Sequence, residues 1–436
     1  MNSNLHSGEK ISNNFYAAFF GITGYISVAA LHSALRAYIV RKDVRTMKNF
    51  QYYNPARIVF GRGAQKELAS LLEKENVTSL LFVYSGDFVK ELGIFDEVKS
   101  ACESIGARFA ENGKVVPNPK VELVRELISE GRERQTDFVL AAGGGSSVDT
   151  AKAVALGIPY AGDVWDFFTG AAQPSSALPV GVITTLPSSG SETSNCSIIS
   201  NGKWKLGFED DIIIPKFAIM NPEYTLSLPP FQTSAGIADI LSHLLERYFS
   251  AVEHTDVTDH LIEGAVRALL LNGRRLIADP NDIDARSEIQ WLASIAHNNL
   301  LDTGREADWG SHRIEHELSA QYGITHGEGM AIVTLAWVRY AAKVRPEKPA
   351  QLAVRVFGAD SADHTKEQQA LVLADELEKF FKELGLNTTL AGLGIGSGHF
   401  EEMADRATKG GSSPVGHYIK LDKKKFIEIL RMAGPV

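Results

Sequence analysis

Apolar positions along the chain change period about half-way. Between residues 47 and 220, short continuous runs such as Ser79–Tyr84 (SLLFVY), 137–142 (DFVLAA) and 179–184 (PVGVIT) read as strands buried on both faces. Stretches of helical periodicity separate them, at 95–105, 123–132 and 149–155. This alternation predicts a parallel sheet covered by helices, with ligands bound at the carboxyl ends of the strands. Three prolines in 221–230 (NPEYTLSLPP) punctuate the chain. Beyond them strand signals nearly vanish. Segments 235–249, 261–276, 288–300 and 368–384 show the i, i+3, i+4 spacing of packed helices. The expected fold class is therefore α/β plus all-α, with a cleft between the halves. The domains expected are an N-terminal parallel-sheet dinucleotide-binding domain over 47–225 and a helical bundle over 226–436.

Residues 1–46 stand apart as an extension. From Ile11 to Leu35 no Asp, Glu, Lys or Arg occurs, which is long enough to span a bilayer. Basic residues follow the run (Arg36, Arg41, Lys42, Arg45) instead of preceding it, so a secretory signal fits poorly. Asn13, Asn14, Ser27, His32 and Ser33 dilute its hydrophobicity. Membrane contact is expected only if 11–35 is an anchor; an over-long extension ahead of a globular start at Met47 is the competing reading.

Composition narrows the function. The 436 residues carry 44 basic and 53 acidic side chains, a formal charge of −9 with no basic block, which argues against nucleic-acid binding. The two cysteines, Cys102 and Cys196, are far apart, which excludes a disulfide scaffold, a zinc finger and a cysteine-ligated cluster. A reducing, cytoplasmic setting is the simplest expectation.

Two constellations carry chemistry. In 141–155 (AAGGGSSVDTAKAVA), Gly143, Gly144 and Gly145 end a strand and Ser146 stands where a helix begins, a turn suited to a dinucleotide diphosphate. Three consecutive glycines replace the spaced dinucleotide fingerprint, and a ligand-free tight turn would look the same. In the helical half, Asp239 and His243 share one face of a largely apolar helix. A second helical stretch carries His312, His316 and His326 within 15 positions. One carboxylate with two or three imidazoles suits a borderline divalent ion, Zn²⁺ or Fe²⁺. Asp308, Glu315, Glu317 and Glu328 read as solvated groups or as partners of the ligands.

Taken together, NPARIVFGRGA, VVPNPKVELV, GGGSSVDTAK, TTLPSSGSET, SAGIADILSHLLE and SHRIEHELSAQYGITHGEGMA resemble the iron-containing alcohol dehydrogenase family. The nearest branch is the butanol-dehydrogenase-like one of NADPH-dependent aldehyde reductases, and the resemblance runs from Met47 to the C-terminus. It implies a dehydroquinate-synthase-like fold and metal ligands at Asp239, His243, His312 and His326. His316 would lie beside the nicotinamide and relay a proton. Gly143, Gly144, Gly145, Ser146 and Asp149 would surround the diphosphate. Thr184, Thr185 and Leu186 would line the nicotinamide, with Pro119 and Lys152 nearby. In YSGDF (84–88), Gly86 takes the place where NAD-requiring members carry Asp, which favours NADP, with NAD possible because Asp87 follows. The resemblance implies a homodimer acting on small aldehydes or alcohols. A sugar-phosphate cyclase of the dehydroquinate-synthase type and a non-enzymatic nucleotide- or metal-binding protein are the rival functions. The cyclase would use Glu where Asp239 stands.

Overall fold

The computed structural model describes residues 46–436. The charge-free run over 11–35 lies outside the described residues. Among the described residues no helix is long and apolar enough to cross a membrane. Residues 47–251 and 255–436 make one compact unit, to which every element below belongs.

Six strands form a parallel sheet in the order β1-β8-β5-β4-β2-β3. They are β1 (Arg57–Phe60), β2 (Ser79–Tyr84), β3 (Arg108–Asn112), β4 (Phe138–Gly143), β5 (Val180–Thr184) and β8 (Phe217–Met220). An antiparallel hairpin, β6 (Cys196–Asn201) with β7 (Trp204–Glu209), lies outside that sheet. Helices α1 (Leu68–Lys74), α2 (Phe88–Glu91), α3 (Ile94–Ile105), α4 (Val121–Glu133), α5 (Gly145–Gly157) and α6 (Trp165–Thr169) connect the strands. The central strands β2, β4 and β5 are buried along their whole length, which is why they read as uninterrupted apolar runs. Helices α4, α5 and α6 pack on one side of the sheet and α1 and α3 on the other.

Strand order reverses between β2 and β4: the chain moves from β2 outward to β3, then returns to pair β4 on the other edge of β2. In open α/β sheets that switch opens a crevice at the carboxyl ends of the strands. Gly86 follows β2 there, and Gly143 ends β4.

After β8 the described chain is helical. It comprises α7 (Pro230–Tyr248), α8 (Asp256–Ala278), α9 (Ile283–His297), α10 (Gly310–Tyr322), α11 (His326–Val344), α12 (Glu347–Phe357), α13 (Lys366–Glu383), α14 (Phe400–Thr408) and α15 (Lys423–Met432). A proline at the first position of α7 supplies helical φ where no N–H is needed. Helices α7 and α11 are buried nearly all round, at the centre of the second core. The N-terminal α/β half and the helical C-terminal half follow the fold expected.

Two details depart from the periodicity. The helix expected over 288–300 starts at Ile283 and stops at His297, because Asn299 turns into the left-handed region (φ 68°). The hairpin β6–β7 was not expected: its sequence, CSIISNGKWKLGFE, mixes polar and apolar positions without a clean period.

Candidate metal and cofactor site

Helix α7 presents Asp239 and His243 one turn apart, α10 presents His312 and His316, and α11 opens with His326. Close approach of these helices depends on small residues. A Cβ on Gly327 would meet the Ala235 carbonyl oxygen at 2.0 Å, and one on Gly236 would meet that of Pro187 at 2.4 Å.

The side chains meet in one buried cluster. Ligand atoms of Asp239, His312 and His326 lie within 4.8 Å of one another. His326 Nε2 is 3.5 Å and His243 Nδ1 3.6 Å from Asp239 Oδ1. The rings of His243 and His312 stack with centroids 4.7 Å apart. Asp239 Oδ1, His243 Nδ1 and His312 Nε2 are enclosed without a hydrogen-bond partner among the described residues. Leaving three such atoms unpaired is costly unless something binds them. His243 lies outside that close group and joins it through its Nδ1 beside Asp239 Oδ1; one carboxylate oxygen with two or three imidazole nitrogens is a donor set for a divalent Zn²⁺ or Fe²⁺ ion, so the residues present fit the group. His316 contributes to a second candidate set with Glu315 and His326.

Supporting contacts aim the ligands. Glu246 Oε1 accepts from the His312 backbone N–H at 3.0 Å and lies 3.1 Å from His312 Nδ1, leaving Nε2 inward. Glu315 bonds His326 Nδ1 and thereby leaves Nε2 facing Asp239. Ser188 Oγ donates to Asp239 Oδ2 at 2.5 Å. Carboxylate partners of this kind set the tautomer and orientation of ligating imidazoles. Burial raises the Glu315 carboxyl, but His326, Lys205 and two hydrogen bonds outweigh it and hold it at about 2. Burial, reinforced by neighbouring cationic groups, keeps His243 and His316 well below the usual imidazole range. Both are therefore neutral, the form that ligates metal or accepts a proton.

Asp308, Glu315, Glu317 and Glu328 were expected to be solvated groups or partners of the ligands; the solvated alternative is corrected, since all four are buried. Glu315 is a partner of a ligand. Asp308 Oδ1 instead gathers the backbone N–H groups of His417, Tyr418 and Ile419. Sequence reasoning left Glu246 and His297 unassigned. Glu246 follows His243 by three positions on the same helix, which was a usable signal. His297 lies against His243 with centroids 4.5 Å apart and carries no pattern of its own.

The cofactor candidates assemble at the switch crevice. In register, Gly143 of β4 pairs Thr184 of β5, and the Thr185 N–H donates to the Gly143 carbonyl at 3.1 Å. Gly143 has φ 142°, a conformation other residues rarely adopt, and a Cβ there would meet Ser147 Oγ at 2.5 Å. A Cβ on Gly144 would touch Leu186, and one on Gly145 would meet Ser189 Oγ at 2.4 Å. Ser146 is half-buried in the first turn of α5, and Gly86 is exposed at φ 74° after β2. Asp149 and Lys152 are both buried. The Lys152 ammonium donates to the carbonyls of Ser191, Ser194 and Cys196 at 2.7–2.8 Å. Asp149 accepts from Ser191 Oγ at 2.6 Å and from the Ile198 N–H at 3.1 Å. These two side chains thus clamp the loop over 185–195. That loop touches Gly145 through Ser189 and Asp239 through Ser188, so one segment ties the glycine turn to the metal cluster. Pro119 lies beside the same region, its carbonyl accepting from the Ser200 N–H at 2.8 Å.

A nucleotide-type sheet whose glycine turn shares a loop with a buried Asp/His cluster fits an enzyme that uses a divalent metal and a dinucleotide together. Comparisons with known proteins give the family. The model described as iron-containing alcohol dehydrogenase matches residues 55–222, and that of the C-terminal part of the Fe-containing alcohol dehydrogenase family matches 233–434. Probable NADH-dependent butanol dehydrogenase 1 of Bacillus subtilis is 37% identical, over 88% of this chain and 99% of its own. NADPH-dependent aldehyde reductase YqhD of Escherichia coli is 31% identical, over 87% and 99%. The crystal structure of NADH-dependent butanol dehydrogenase A from Thermotoga maritima superposes with a TM-score of 0.85 at 33% identity, covering 89% of this chain and 99% of that one. The chain belongs to the iron-containing alcohol dehydrogenase family.

Proposed function

We propose that this oxidoreductase of CH–OH groups transfers a hydride reversibly between NAD(P)H and a short-chain aldehyde or primary alcohol. Its divalent ion would be held by Asp239, His243, His312 and His326. The observation that carries this reading is the set of inward-facing ligand atoms left without partners, joined by one loop to the glycine turn. When bound, the ion supplies Lewis acidity toward the carbonyl oxygen and the nicotinamide supplies the hydride.

The chain's own residues do the rest. Gly143, Gly144, Gly145 and Ser146 offer close backbone approach and helix N–H groups to the diphosphate. Asp149 and Lys152 act on that site through the loop they hold. Thr184, Thr185 and Leu186, at the end of β5, line the nicotinamide position. His316 moves the proton: its Nδ1 is enclosed with no hydrogen-bond partner among the described residues, while its ring is partly exposed. Gly86 leaves room for a 2′-phosphate, so NADPH is the proposed cofactor. NADH is the second reading, favoured by the exposed Asp87 carboxylate next in the chain. Either Fe²⁺ or Zn²⁺ satisfies the ligand set.

Metal analysis of the purified chain, combined with NADPH- and NADH-dependent reduction of butyraldehyde, tests the proposal. Asp239→Ala and His326→Ala are expected to lose the ion and bring turnover to background. Full activity of metal-free protein would refute it.

A further inference from the structure

A cavity of about 200 Å³ lies between the first turns of α7, the end of α8, the start of α9 and the end of α13. That is below the span of drug-sized sites and suits a small ligand. Ile237 stands on its wall; Asp239, two positions on, belongs to another face, since side chains two apart on a helix do not face each other. Arg286 also lines the cavity and is only 3% exposed. Its Nε donates to the Pro280 carbonyl at 2.7 Å and its Nη1 to that of Thr225 at 2.6 Å. No carboxylate among the described residues pairs with it, and burial lowers its pKa with no neighbouring charge to oppose that. A charge so deep is ordinarily paired. Arg286 Nη2 has no partner among the described residues and keeps accessible surface, which in a residue this buried opens on the cavity it lines. Ser234, 8% exposed on the same wall, is alike: its Oγ is neither bonded among the described residues nor sealed from solvent.

One cation and two open donors call for an anion. The carboxylate on the wall, Glu383, is already taken by Arg274 at 2.8 Å. Around the donors the wall is apolar, with Ile237, Leu276 and Ile277. Phosphate carries oxygens on every side and would press some of them against carbon. A monocarboxylate gathers its acceptors at one end and offers an alkyl chain at the other. We propose that this cavity binds a short-chain monocarboxylate, its carboxylate held by Arg286 Nη2 and Ser234 Oγ and its chain against Ile237, Leu276 and Ile277. The site is separate from the metal cluster and stands whether or not the chain transfers a hydride. Its occupant braces the start of α7, the helix that carries Asp239 and His243.

Isothermal titration calorimetry of the metal-loaded full chain with butyrate, acetate, phosphate and butylammonium tests this. Butyrate is expected to bind about tenfold more tightly than acetate, because it buries two more CH₂ groups. Phosphate is expected to bind more weakly than butyrate, and butylammonium not at all. Arg286→Met removes the cation and Ser234→Ala one donor; each is expected to weaken butyrate about tenfold or more, the loss of a hydrogen bond to a charged group. Ser234→Ala keeps the test decisive if Arg286→Met fails to fold. Asp239→Ala is expected to bind butyrate as wild type does, which separates this site from a carboxylate held at the metal cluster. Absence of butyrate binding to wild type, phosphate binding as tightly as butyrate, or loss of binding in Asp239→Ala overturns the assignment. So does an affinity that Ser234→Ala leaves within twofold of wild type.

Discussion

Replacing Glu315 by Gln tests whether a partner carboxylate sets the metal affinity. Glu315 is fully enclosed; one carboxylate oxygen bonds His326 Nδ1, the other Ser319, and Lys205 Nζ lies 3.7 Å away. A hydrogen bond to a charged group contributes about 1.5–3 kcal/mol, against about 0.5–1.5 for a neutral one. Glu315→Gln therefore costs the His326 orientation about 1–1.5 kcal/mol, or about tenfold in an equilibrium constant. It also leaves Lys205 without its carboxylate and sets an amide N–H₂ among donors. Together these place the loss of metal affinity between about 10- and 100-fold, the span usual for such partners. The assay is competition for Zn²⁺ or Fe²⁺ with a chromogenic chelator, run on wild type, Glu315→Gln and Glu317→Gln. Glu317 lies two residues on and bonds Arg406 at 2.8 Å, so its variant is expected to bind metal normally. Affinity within twofold of wild type for Glu315→Gln would show that Glu315 does not aim His326.

Two further predictions follow from buried charge. Lys152→Met strands the carbonyls of Ser191, Ser194 and Cys196 and leaves Asp149 without its nearest cation. Breaking such an arrangement costs about 3–5 kcal/mol. Urea unfolding should show that loss, and metal content should fall with it, because the clamped loop carries Ser188 to Asp239. Burial, with Glu246 adding, lifts the Asp308 carboxyl to about 7 against the pull of its backbone donors. Between the unfolded value near 4 and that folded value the native state binds the extra proton, so this group's contribution to stability falls as pH rises from about 4 to 7. The advantage in Tm of wild type over Asp308→Asn should accordingly narrow from pH 5 to pH 8. A constant gap would contradict the raised carboxyl.

Much of the fold was legible because burial on both faces leaves a strong mark. The run at 79–84 coincides with β2, and the strands expected at 137–142 and 179–184 fall within one residue of β4 and β5. Edge strand β3 and the hairpin β6–β7 were not, since half-exposed strands such as RFAEN (108–112) carry no such run, and the buried β8 was missed because four residues make too short a run. At the site, Asp239 and His243 were legible through helical spacing, and His312, His316 and His326 through density. Glu246 and Glu315 looked like ordinary helix carboxylates, and His297 like an isolated histidine.

By itself the sequence determined the class of each half, the glycine turn and the roster of ligand-type residues, because these depend on local period and residue chemistry. Only the tertiary structure decided which carboxylates sit behind which imidazoles and that Lys152 and Asp149 grip a loop instead of facing solvent. Those pairings join positions from 11 residues apart (Glu315 and His326) to 66 (Glu246 and His312), and their meeting is set by how α7 packs on α11 at Gly327 and on the loop at Gly236.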